Sequence, residues 1–301
     1  MGLLEQRAGL EGKIAAVIGG GGGIGAAVTL ALAGAGVDVA ICDIDEAAMA
    51  TTAAAVGALG RRCIAQHLDV TAADALPGFY RKIGREFGSL NILVNVVGGV
   101  RQRAFMESTA EEDAGDIRRN YGYVIESIRL AVPLIERSGR GGSIINFTTI
   151  EAHRGAAGFA VYAGAKAATS NITRALAVEF GAKRIRVNEI APDTTPSGGN
   201  ARALRPELTA LMEKLTPAHF AQAMALYIPL GSAPGTDDLA NAVLFLASDL
   251  AAFVSGVTIH VDGGTAAAMG FLNWPYGDGY APTPVGISAQ RLFDEIVNEE
   301  K

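Results

Sequence analysis

Five consecutive glycines, Gly19 through Gly23, interrupt an apolar stretch that runs from residue 14 to residue 37 without a single charge. A stretch of that length raises the question of a membrane span, but each glycine costs a helix about 1 kcal/mol relative to alanine. A run of five rules out one continuous helix. The residues before it, 13–18, favour a strand, and those after it, 24–33, are rich in alanine and favour a helix. Strand, glycine turn and helix in that order form a device for anions: backbone N–H groups approach closely, and the helix N-terminus adds its positive dipole end. Gly19, Gly23, Ile24 and Gly25 are the candidate contacts. No Gly-Lys-Ser/Thr closes the loop, which argues against a Walker-type phosphate site. The plain alternative is a tight turn without a ligand.

The same alternation continues along the chain. Apolar, β-rich runs occur at 13–18, 37–42, 63–68, 92–96, 143–147, 185–190 and 257–261. Helix-like stretches at 24–33, 46–59, 111–136, 162–180 and 237–247 lie between them. The strand runs are apolar throughout instead of alternating, as expected when helices cover both faces of a parallel sheet. The predicted fold is α/β: a doubly wound, Rossmann-type sheet of seven parallel strands with helices on both faces, in a single domain. Half the residues are hydrophobic and 38 are glycine, enough for a large core joined by tight turns. Two stretches fall outside the alternation, a lid-like insertion at 194–230 with helix-like pieces at 206–214 and 219–227, and a C-terminal extension at 269–301.

A net charge of -6 offers no field for a phosphate backbone, so nucleic acid is not an expected partner. Cys42 and Cys63 lie in strand runs without metal-ligand spacing and read as reduced thiols. The same holds for His67 and His260, which read as structural, and no metal site is expected. The N-terminal segment has acidic residues and no apolar signal core, so neither export nor membrane insertion is expected and the location is cytoplasmic.

Asp43 ends the second strand run, eighteen positions beyond Gly25. A carboxylate there can accept hydrogen bonds from the ribose hydroxyls of a dinucleotide and repels a 2′-phosphate, which favours NAD over NADP. After the fifth strand run come Thr148 and Thr149, then Tyr162 and, one helical turn on, Lys166. The two share a helix face, so an ammonium can stabilise the phenolate. Bringing a tyrosine from about 10 to neutrality takes about 4 kcal/mol, within reach of a lysine acting with a cationic nicotinamide.

These features, with Leu68-Asp69-Val70, Asn95 and Gly98, Asn120, Arg186-Val187-Asn188 and Val261-Asp262-Gly263-Gly264, stand in an order that resembles the short-chain dehydrogenase/reductase family from about Gly12 to Gly264. The resemblance implies an NAD-dependent oxidoreductase interconverting a secondary alcohol and a ketone. Tyr162 would be the acid/base, Lys166 would lower its pKa, Thr149 would orient the substrate oxygen, and Asn120 would anchor a water for proton relay. Asp69 and Val70 would hold the adenine. Asn95, Gly98, Pro192 and Thr194, with Tyr162 and Lys166, would border the cofactor. Family members often form homo-oligomers, so a tetramer or dimer is expected, with Trp274, Tyr276 and Tyr280 of the extension against a neighbour. Leu204, Leu208, Leu211, Met212, Phe220 and Met224 in the lid stretch suggest a hydrophobic or cyclic substrate, and His153 and Arg154 follow the Thr149 strand toward the active site. Four positions depart from the family pattern besides Thr149, which replaces serine: Ile18, Val96, Val97 and Asp193. They predict rearranged polar bonding near the nucleotide, and they alone favour the alternative of a catalytically weak nucleotide-binding regulatory protein.

Overall fold

The computed structural model describes residues 2–99, 102–196 and 214–299. Seven strands form one sheet: β1 (Ile14–Ile18), β2 (Asp38–Asp43), β3 (Cys63–His67), β4 (Ile92–Asn95), β5 (Gly142–Phe147), β6 (Ile185–Pro192) and β7 (Thr258–Val261). Their order is β3-β2-β1-β4-β5-β6-β7, with every pairing parallel. Each coincides with a predicted run to within two residues at either end.

The helices are α1 (Leu3–Ala8), α2 (Gly23–Gly34), α3 (Glu46–Ala58), α4 (Ala75–Glu86), α5 (Ala110–Ile117), α6 (Tyr123–Arg137), α7 (Ala160–Glu179), α8 (Pro217–Tyr227), α9 (Thr236–Ala247), α10 (Thr265–Ala268) and α11 (Gly286–Glu299). Successive residues of β1 alternate between two cores. Ala16 and Ile18 join Leu76, Phe79 and Ile83 of α4 and Ile128 and Ile135 of α6. Ala15 and Val17 join Val28 and Leu32 of α2 and Leu239, Val243 and Leu246 of α9. That two-sided burial is why the strands carry no polar alternation, and each fully buried Leu, Ile or Phe contributes about 1.5–3 kcal/mol.

Three features depart from the sequence expectation. The stretch 111–136 is two helices joined by a π-helical turn, Arg118–Gly122, because the Asn120 amide donates to the Asp116 carbonyl at 2.9 Å and Thr169 on α7 donates to the Asn120 carbonyl at 3.2 Å. Helix α4 went unrecognised because Pro77 and Gly78 open it; proline is tolerated in a first turn, where its missing N–H has no partner to lose. The C-terminal extension contains a hairpin, β8 (Leu272–Trp274) with β9 (Gly279–Ala281), ahead of α11. The Trp274 indole N–H closes the hairpin onto the Ala281 carbonyl at 2.9 Å, which explains one aromatic of the tail within the chain itself. The lid piece 206–214 lies almost wholly outside the described residues, whereas 219–227 is the body of α8. No helix among the described residues is long and apolar enough to cross a membrane.

Candidate active site

Connections leave β1 and β4 in opposite directions, so a crevice opens at their C-terminal ends, where ligands of such sheets bind. The glycine loop lies on one lip. Gly19 has φ +88°, and a Cβ on Gly25 would lie 1.7 Å from the Gly19 carbonyl oxygen, so the loop closes only with glycine at both places. Gly23 opens α2 with φ +51°. No side chain caps α2 and no acidic residue occupies its first turn, leaving a cationic helix end at the lip. Ile24 packs its side chain into the core below.

Asp43 emerges from β2 against this loop, its Oδ2 accepting from the Gly21 N–H at 2.9 Å and its Oδ1 from the Asp45 N–H at 3.1 Å. Asp69 lies beyond β3, exposed, with Oδ1 held by the Thr71 N–H and hydroxyl at 2.8 and 2.7 Å, while Val70 is buried. An ungapped glycine cradle, an uncapped helix end and a carboxylate beside them suit a pyrophosphate and a ribose diol. The donor set fits a dinucleotide.

On the opposite lip, the N–H groups of Val96 and Val97 both donate to the Ile18 carbonyl, at 3.0 and 3.1 Å. Val97 packs against Gly19, where a Cβ would meet its Cγ2 at 2.8 Å. The departures at 18, 96 and 97 therefore exchange side-chain polarity for apolar packing and backbone bonds. Asn95 is fully buried and its amide is spent inside the protein: Nδ2 donates to Asn146 at 2.9 Å and Oδ1 accepts from Ser127 at 2.7 Å. It supports the lip from behind. Pro192 ends β6 beside Val261, and the exposed Thr194 donates its N–H to Asp193 at 2.6 Å.

Thr149, Tyr162, Lys166 and Asn120 converge at the mouth of the crevice. Tyr162 and Lys166 come from the first two turns of α7, and Thr149 follows β5. Burial pushes the Tyr162 phenol up to about 12, with Glu151 adding to the rise and Thr149 opposing it. Burial pulls the Lys166 ammonium down to about 8, against the favourable charge of Glu189. Lys166 Nζ donates to the Phe147 carbonyl at 2.9 Å. Gly98 closes over the lysine: a Cβ there would lie 2.8 Å from Lys166 Nζ and 3.1 Å from Asn120 Oδ1. Asn120 is locked by Gly99, donating to its carbonyl at 2.9 Å and accepting from its N–H at 3.1 Å.

Other polar side chains surround this group: His153, Arg154 and Asp193 were singled out in the sequence, whereas Glu151, Glu189 and Tyr227 were not. Glu189 on β6 is 1% exposed; its Oε1 accepts from Thr258 and lies 3.6 Å from His153 Nε2, while Oε2 has no hydrogen-bond partner. His153 stacks edge-on with His260 at 5.1 Å, and burial holds it below its ordinary pKa. A second chain runs along the rim: Thr149 donates to Glu151, Arg154 donates to Glu151 at 2.8 Å and to the Tyr227 hydroxyl at 2.7 Å, and Tyr227 donates to Asp193 at 2.7 Å. Asp193 is thus held within the protein at both oxygens. The one sequence signal for Glu189 was a carboxylate inside a largely apolar strand run. Tyr227 carried none, because its partners are 34 and 73 positions away.

A tyrosine and lysine one turn apart, facing a hydroxyl at the crevice of a doubly wound sheet, define a nucleotide-linked proton-transfer site. A family model described as enoyl-(acyl carrier protein) reductase matches residues 19–266. The 2,5-dichloro-2,5-cyclohexadiene-1,4-diol dehydrogenase of Sphingobium indicum is 32% identical over 260 residues, covering 86% of this chain and 98% of that protein. Carveol dehydrogenase from Mycobacterium avium, solved in complex with NAD, aligns with a TM-score of 0.77 at 28% identity over 85% of this chain and 98% of that one. A 7α-hydroxysteroid dehydrogenase complexed with NADH and 7-oxo glycochenodeoxycholic acid aligns at 0.77 and 30% identity, over 88% and 98%. The chain belongs to the short-chain dehydrogenase/reductase family and is one of its oxidoreductases.

Proposed function

We propose that the protein interconverts a secondary alcohol and a ketone with NAD, on a hydrophobic or cyclic substrate. The observation that carries this reading is Tyr162 one helical turn from the buried Lys166 on α7, with Thr149 directly after β5, at the switch point of the sheet. NAD would lie with its pyrophosphate on Gly19, Gly23, Ile24 and Gly25, its ribose on Asp43 and its adenine at Asp69 and Val70, and it would supply the hydride acceptor. The chain's own residues handle the proton. Tyr162 takes it from the alcohol or returns it to the ketone, Lys166 favours the phenolate, Thr149 orients the substrate oxygen and Asn120 serves the relay. The unaltered four-residue spacing of Tyr162 and Lys166 favours alcohol–ketone chemistry over enoyl reduction. The relatives whose names specify cyclic alcohols support the substrate class. In the same reading the chain is one domain with residues 194–230 as a lid, sits in the cytoplasm, and self-associates as a tetramer or dimer.

Titration with NAD and NADP, followed by a screen of secondary alcohols for formation of reduced cofactor, tests this reading. NAD-selective turnover, fastest on bulky cyclic alcohols, is expected. Turnover confined to small polar alcohols would remove the substrate assignment, and NAD binding without turnover on any alcohol or ketone would remove the enzymatic one.

A further inference from the structure

A threonine hydroxyl has one proton to give, and in this site three acceptors compete for that of Thr149. Its oxygen accepts from the Glu151 backbone N–H at 3.4 Å, and its proton goes to the Glu151 carboxylate. A carboxylate paired with a guanidinium accepts and does not donate, which fixes that direction. The hydrogen bonding by which Thr149 holds the Tyr162 phenol down needs that same proton. Once Tyr162 becomes a phenolate it can only accept. The Thr149 proton must swing to it and leave Glu151. A ketone oxygen, also a pure acceptor, makes the same demand. Glu151 therefore stands against the active form of the pair twice, by its hydrogen bond and by its charge.

We propose that Glu151 is a positioning residue of the reaction, holding the Thr149 proton away from Tyr162 until the tyrosine ionises or a substrate oxygen claims it. The proposal rests on the reading of Thr149 and Tyr162 given above. Arg154 anchors Glu151 and ties it through Tyr227 of α8 to Asp193 beyond β6, so the rim of the site and the orientation of one proton are linked. Charged and titratable groups face the pair from several elements, and Arg103, Asp113 and Asp116 line the cavity beside Tyr162. Arg154 and His153 come from the same loop as Glu151, Lys166 from α7, Tyr227 from α8, Asp193 and Glu189 from β6 and the loop after it, and His260 from β7. Among the described charged groups, Glu151 alone shares a hydrogen bond with Thr149.

The test is Glu151→Gln, which keeps the shape, removes the charge and turns a donor toward Thr149. Tyr162 ionisation is read in the NAD-saturated protein as phenolate absorbance, by difference from Glu151→Gln/Tyr162→Phe, and against the parent and its own Tyr162→Phe. The expected result is a midpoint about one pH unit lower than the parent's. The acid limb of kcat/KM for cyclohexanol oxidation moves with it, while Glu151→Asp, which keeps the charge, stays near the parent. Arg154→Met, which leaves the carboxylate uncompensated, moves the midpoint upward. An unchanged midpoint in Glu151→Gln overturns the proposal, whatever substrate the protein accepts. If Tyr162→Phe retains the parent's turnover, the failure lies instead with Tyr162 as acid/base, and the two outcomes are separated by which variant is silent.

Discussion

In the proposed reading cofactor choice turns on Asp43, whose geometry would give it two tasks. It holds the Gly21 N–H of the glycine loop at 2.9 Å and presents a negative charge where a 2′-phosphate would sit. Asp43→Ser keeps a hydrogen-bonding group and removes the charge. NAD affinity is expected to fall about tenfold, the loss of one charged hydrogen bond to the ribose, while NADP affinity rises; fluorescence titration with the two cofactors reads both. Much of this site was legible in the sequence, because Asp43, Tyr162, Lys166 and the glycines act through spacings set by one strand end or one helical turn. Glu151, Tyr227 and Glu189 were not, because their contacts join separate elements: Tyr227 meets Asp193 and Arg154 only once α8 packs beside the end of β6. Asp193 shows the same limit. As a sequence departure it predicted rearranged polar bonding near the nucleotide; folded, it is a partner of Tyr227 and Thr194.

Among elements, the glycine turn between β1 and α2 leaves the least room for change. A methyl group on Gly25 would stand 1.7 Å from the Gly19 carbonyl oxygen, and both ends of that contact are backbone. Gly25→Ala must push α2 away from the loop. It is expected to cost about 1–3 kcal/mol of stability, as overpacking does, and to weaken NAD binding, as read by denaturant titration and cofactor titration together. The strands were legible as elements because both faces are buried and the apolar runs are unbroken. The helices were less so. Residues 111–136 carry a continuous helical pattern, and the π turn inside it goes with the local bond of Asn120 to Asp116 and its tertiary bonds to Gly99 and Thr169. The hairpin of β8 and β9 escaped notice because two three-residue strands give too short a period to read.

For the whole molecule, the half-buried Tyr162 and the buried Lys166 set a pH dependence of stability with a definite sign. Lys166 holds its proton less tightly folded, at about 8, than unfolded, at 10.5. Between those values the unfolded chain binds the extra proton, so stability rises with pH, and below about 8 the burial penalty is fully present. Tyr162, at about 12 against 10.0, works the other way: the folded protein keeps the proton, and stability falls with pH above 10. The difference in unfolding free energy between the parent and Lys166→Met is therefore expected to grow in the parent's favour from pH 8 to 10.5, by about 3 kcal/mol in all. Denaturant titrations of the two proteins across that range check it. The same pair carries the proposed function, and the most direct test of the whole account is turnover of a cyclic secondary alcohol with NAD by the parent and by Tyr162→Phe. Loss of at least about a hundredfold in kcat/KM, in a protein that still binds NAD, is the predicted result; a Tyr162→Phe protein that reduces NAD at the parent's rate would contradict it.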